Sequence, residues 1–214
     1  MASRRLILGR VVLGVAFILS FLISISLPYV RFLDLVRTSY GTPRTIVTGT
    51  SNDQTTELRL GLWGVCSSLA SSGDWKCWMG YNSSVGGKYI RESWVYGAEV
   101  HPLVTFVILL AWLLSFSLKT IFVAFVFTAI GCLLTFIWFA IEIAVFVHVT
   151  NQMGNIGGST RPGPAFWMTL VVLILAVVAG CVVYLEHRRQ KRKTEAGTTK
   201  TVRPWNYRPR RNRV

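Results

Sequence analysis

Acidic residues are scarce in this chain of 214 residues: nine Asp and Glu stand against twenty-three Lys and Arg, and charged residues make up 15% of the whole. Periodic apolar stripes are missing too, and with them the pattern of a soluble helical or sheet protein. Histidine and cysteine are few, at three and four residues. Cys66 and Cys77 share a segment without a nearby His. Two thiols fall short of the four ligands a structural zinc takes, so no metal is expected. No local motif joins a nucleophile to a base, which removes Ser and Cys triads and leaves no catalytic residues and no cofactor to assign. A repeat of fixed period is also absent, and unequal loops speak against an inverted-repeat transporter.

What is present is apolar: 52% of the residues, gathered in unbroken runs. A membrane span needs about 20 such residues, and residues 7–30, 102–118, 121–148 and 165–185 meet that length. They predict an all-α membrane protein, a four-helix transmembrane bundle. Between the spans lie residues 1–6, a long loop 31–101, a turn 119–120, a second loop 149–164 and a tail 186–214. A secretory signal is the rival for the first run, because Arg4, Arg5 and Arg10 precede it. The run from Val11 to Val30 is longer than the usual signal core, which favours a retained helix.

The net charge of +14 is sided. Arg4, Arg5, Arg10, Lys119 and eleven basic residues after Glu186 fall on one side of the spans; the other side has eight basic and six acidic residues. The positive-inside rule makes the first side cytoplasmic, holding both termini. A bilayer beside a basic tail accounts for this charge, so nucleic acid is not expected as a partner.

The 31–101 loop is rich in Thr, Ser, Gly, Trp and Tyr. Its β-type stretches at 44–48, 57–65 and 93–96 predict a small antiparallel sheet. The Gly- and Pro-rich 149–164 loop predicts a turn without a core of its own. The tail has too little apolar surface to fold and is expected to be disordered. Cys66 and Cys77, on the oxidising side, predict one disulfide, and Trp63 is placed to lodge against the ends of the helices.

The run Gly61, Leu62, Trp63, Gly64, Val65, Cys66, followed by Cys77, Gly80 and Tyr81, resembles the signature of claudin-like four-span proteins. Within that group the chain is similar to the fungal PalI family and its Sur-type relatives. The likeness extends from Glu142, Phe146, Val147 and His148 to Gly163, Pro164, Ala165, Phe166 and Trp167, and covers most of residues 5 to 187. It implies a small disulfide-bonded, β-rich extracellular domain on the bundle. By function it implies a non-enzymatic plasma-membrane organiser or signalling accessory, in ambient-pH sensing or membrane-domain organisation. The alternative is an accessory subunit of a larger polytopic membrane enzyme or channel. A membrane-protein partner or self-association is expected on either reading.

Glu142 is the one carboxylate inside a span, and an intramembrane acid is by default a functional candidate. With His148 it forms a candidate proton or packing site, and Ser20, Ser24 and Thr169 are hydroxyls that could bond it. His101 and His148 are placed at the outer interface. Arg188, Arg189, Lys191, Arg192 and Lys193 directly follow the last span and suit anionic inner-leaflet lipids. Asn82, Ser83 and Ser84 form a glycosylation sequon.

Overall fold

An apolar run in hydrocarbon must satisfy its backbone N–H and C=O groups internally, and each of the four runs forms a helix, the first ending at Ser24 and not at residue 30 as expected. The computed structural model describes residues 4–27, 29–45, 54–80, 100–117 and 120–201. Its elements are α1 (Arg4–Ser24), β1 (Val36–Thr45), β2 (Gln54–Leu60), β3 (Gly64–Leu69), β4 (Trp75–Met79), α2 (Val100–Leu114), α3 (Ile121–Gly154), β5 (Gly158–Pro162) and α4 (Pro164–Thr201). Three helices are long and apolar enough to cross a membrane: α1 over Ile7–Ser24, α3 over Ile121–Gly154 and α4 over Pro164–Arg189.

The fourth helix, α2, is apolar but shorter than expected; its 15 residues rise about 22 Å against about 30 Å of hydrocarbon. A cation from α1 ends it. The Arg10 guanidinium donates to the carbonyls of Ser115 at 3.0 Å and Phe116 at 3.1 Å. The Ser115 hydroxyl donates to Trp112 O at 2.6 Å. The Ser115 and Phe116 carbonyls lie just past the last helical turn, where a positive group is favourable.

The helices close a ring in which α1 and α3 each pack on both α2 and α4. At one end Leu13, Ala111, Ile121, Ala179 and Val183 meet; nearer the sheet Ala16, Ile23, Val104, Ile108 and Val172 do. The start of α1 therefore lies beside the late turns of α4. Gly9 approaches Val182 and Gly14 approaches Trp112, so these two glycines serve different neighbours. Small residues at such contacts let helix backbones come close where lipid offers no hydrophobic drive.

At the other end stands a five-stranded antiparallel sheet, in the order β4-β3-β2-β1-β5. Its buried face carries Val36, Tyr40, Leu58, Leu60 and Val65, which pack with Val149 and Met153 of α3. At 34 residues, α3 rises about 50 Å, well beyond a bilayer's hydrocarbon. Its last turns thus serve as a post under the sheet, and the helix outlasts the expected boundary at 148.

Two expectations need correction. The 149–164 loop is not a bare turn, because β5 pairs with β1 from Val36↔Pro162 to Tyr40↔Gly158. Nor is the tail irregular throughout, since α4 continues to Thr201. Residues 186–201 contain good helix formers and no proline, and extending an existing helix avoids the nucleation cost. Of the expected strands, 57–65 falls on β2 and β3, and 44–45 end β1. Residues 46–48, 93–96 and the tail beyond Thr201 lie outside the described residues.

Candidate functional site

The signature run is the joint between sheet and bundle. Gly61 N–H donates to Gly64 O at 2.9 Å, and Trp63 N–H to Leu27 O at 3.2 Å. Leu62 N–H donates to Ser26 Oγ at 3.1 Å, and the Trp63 indole to Ser24 O at 2.6 Å. The segment thus occupies the end of α1 and takes up backbone groups that its last turn leaves unpaired. Both glycines are required by close approach: a Cβ on Gly61 would run into Leu27, and one on Gly64 into the Trp78 carbonyl. Gly80 N–H returns to Trp63 O at 2.7 Å. Tyr81 and Asn82 lie outside the described residues.

Cys66 and Cys77 are directly opposed on β3 and β4 and form the disulfide, with a Cα–Cα distance of 4.1 Å. Closing a loop of this size removes about 3 kcal/mol of unfolded-state freedom. It also fixes the edge strand β4, which otherwise has one partner.

Below the sheet a buried polar layer crosses all four helices. On α1 and α2, Ser20 Oγ lies 2.7 Å from Thr105 Oγ1. Ser24 Oγ lies 2.9 Å from both Thr105 Oγ1 and His101 Nδ1. The His101 ring meets Trp138 of α3 edge-on, with centroids 5.3 Å apart. The Trp138 indole then donates to Glu142 Oε1 at 2.8 Å, and Thr169 of α4 donates to the same oxygen at 2.9 Å. Glu142 is 4% exposed and His101 2%. Glu142 Oε2 is buried without a hydrogen-bond partner among the described residues.

Of the hydroxyls expected near Glu142, Thr169 bonds it, while Ser20 and Ser24 serve the His101 end of the layer. His148 and Glu142 are not brought to one face, since six residues on a helix turn through about 600°, roughly 120° short of two full turns. His148 is half-buried elsewhere on α3. His101, expected at the interface, is instead enclosed by α1 and α3. Trp138, Thr105 and the enclosure of His101 were not read from the sequence. A signal for them exists: Ser20/Ser24, His101/Thr105 and Trp138/Glu142 are each polar or indole pairs at i,i+4, the spacing that puts two side chains on one helix face.

The basic cluster sits at the far end of α4. Arg188 lies over the Tyr184 ring at 5.8 Å, and Arg188, Arg189 and Arg192 line a shallow cavity of about 150 Å³ with Leu185. Lys191 is exposed nearby, and the Lys193 side chain lies outside the described residues. Among the described residues no group of three or more His, Cys, Asp or Glu could hold a metal ion. Compared with known proteins, the chain matches no family model and no curated protein.

Proposed function

We propose that this chain is a claudin-like four-span organiser or signalling accessory of the plasma membrane, with both termini cytoplasmic. The observation that carries this reading is the joint at Gly61–Gly64. It fastens a disulfide-stapled sheet to the end of α1, while Val149 and Met153 of α3 support the sheet from below. A face held in that way keeps its shape outside the membrane, which lowers the ordering cost of engaging a partner. The short α2 completes the bundle as its fourth span where the bilayer thins locally, an adjustment of modest cost.

Crosslinking and mild-detergent pull-down of tagged protein from its native membrane, comparing wild type with Cys66→Ser, tests the proposal. Self-contacts and lipid contacts are the expected result. A large polytopic enzyme or channel recovered in fixed stoichiometry, and lost with the disulfide, would replace the organiser by an accessory subunit.

The resemblance to PalI-type proteins brings a pH response into this proposal, with Glu142, His101 and His148 as its groups. Replacing all three, as Glu142→Gln, His101→Gln and His148→Gln, is expected to shift the external pH at which the cell responds. An unchanged response sinks the mechanism.

A further inference from the structure

We infer that the groove between the sheet and the start of α4 binds the phosphate of a phospholipid in the adjacent leaflet, with Arg161 as its anchoring cation and Trp167 against the acyl–headgroup boundary. The groove encloses about 580 Å³ and is bordered by Arg37, Ser39, Glu57, Arg161, Pro164 and Trp167. That volume lies within the range of small-molecule sites, about 300–1,000 Å³.

Its charge follows from the register. Arg161, Arg37 and Arg59 are direct cross-strand neighbours on β5, β1 and β2, and so form one row across the outer face. Like charges placed opposite one another on a sheet are unfavourable unless compensated. Arg37 is compensated: its guanidinium donates to both carboxylate oxygens of Asp34, at 3.0 and 2.9 Å, and lies 3.3 Å from Glu57. Those contacts raise its pKa, the Asp34 hydrogen bonds first among them. Arg59 pairs with Glu57 at 2.8 Å and stacks over Trp75 at 4.3 Å. Arg161 is exposed at the end of the row and makes no ion pair with any described residue. Arg37 and Arg59 thus take up both carboxylates, Asp34 and Glu57, and the uncompensated charge of Arg161 borders the groove.

The depth is right for a headgroup. The apolar part of α4, residues 165–185, rises about 30 Å, which matches the hydrocarbon and sets its edge at the first turn of the helix. Trp167 on that turn is 55% exposed, as expected of an indole at the interface. Arg161 precedes the edge by one short turn, at the level of lipid phosphates. An arginine fork is suited to a phosphate, and the indole covers the adjoining glycerol and upper chain. The site needs the bundle to sit in a membrane; it stands whether or not the sheet also engages a protein.

The test is native mass spectrometry of the full chain, delipidated in neutral detergent and titrated with phosphatidylglycerol, phosphatidylcholine or diacylglycerol. Both phospholipids are expected to be retained, diacylglycerol is not, and Arg161→Gln should weaken retention about tenfold, the effect of losing one charge-assisted hydrogen bond. Arg161→Lys should recover part of it, and Trp167→Ala should weaken it with phosphate selectivity intact. Inorganic phosphate displacing the lipid completely at millimolar concentration would turn the site into one for free phosphate. Equal retention of all three lipids, or no change in Arg161→Gln with its helical circular dichroism preserved, would overturn the inference.

Discussion

Glu142 accepts two hydrogen bonds through a single oxygen, from the Trp138 indole and the Thr169 hydroxyl. An amide oxygen can accept the same two, so Glu142→Gln should leave thermal stability in detergent nearly unchanged. Glu142→Leu orphans the Trp138 indole, while the Thr169 hydroxyl keeps Ala165 O as an acceptor at 3.1 Å, and a buried donor without a partner costs about 1–3 kcal/mol. The expected outcome is a clear drop in unfolding temperature for Leu and almost none for Gln. Equal losses would mean that the charge, and not the acceptor, is what the bundle needs. Trp63 can be judged in the same way: Trp63→Phe keeps much of the ring but removes the donor to Ser24 O. A loss of about 1 kcal/mol is expected in a reversible unfolding assay.

Strand β1, of which only the end at 44–45 was legible in sequence, shows how an element can be half hidden yet firm in the fold. Its residues, Val36 to Thr45, alternate strand formers at Val36, Thr38, Tyr40, Thr42 and Thr45 with Gly41, Pro43 and two arginines, which break the pattern. It is a strand because β2 and β5 hold it from both sides, and its irregular register between Ser39 and Arg44 takes up the glycine and proline. β5 was hidden for the same reason, since Gly-Ser-Thr-Arg-Pro reads as a turn until β1 lies beside it. The helices α1, α3 and α4 were legible because crossing hydrocarbon demands a length and apolarity that each shows locally, whereas α2 is apolar but short of that length. The disulfide was legible because its two cysteines share one loop. The polar layer was less so: its members become neighbours through the packing of helices far apart in the chain.

Reducing or replacing the disulfide, as Cys66→Ala with Cys77→Ala, should cost about 3 kcal/mol and speed amide exchange first in β3 and β4. At the other end, the helical continuation of α4 carries Arg188, Arg189, Lys191 and Arg192 away from the span. Changing these four to Gln should weaken binding of the detergent-free tail peptide to anionic vesicles by about 1 kcal/mol per cation near the surface, and leave binding to neutral vesicles unaltered.

Across the whole molecule, the sheet unites distant parts of the chain. β1 follows α1, β5 precedes α4, and their five paired positions join the first and last helices above the bundle as the α1–α4 contact joins them within it. Replacing residues 158–162 with a Gly-Ser linker of the same length should therefore loosen more than a loop. It exposes one edge of β1 and uncovers Tyr40 and Val36. Limited proteolysis is expected to cut the 36–45 segment at least several-fold faster than in wild type, whereas an unchanged pattern would show that β5 is not needed to hold β1.

The pairing of β1 with β5 also sets an order of assembly. On a translating ribosome β1 emerges long before β5, and at about 5–20 residues per second its outer edge stays uncovered for on the order of ten seconds. The two strands can meet only if the intervening helices have threaded so as to return residues 158–162 to the same side of the membrane. Closure of the sheet is thus a checkpoint on insertion: a nascent chain that has crossed the bilayer the wrong number of times retains a bare strand edge, the kind of surface quality control can recognise.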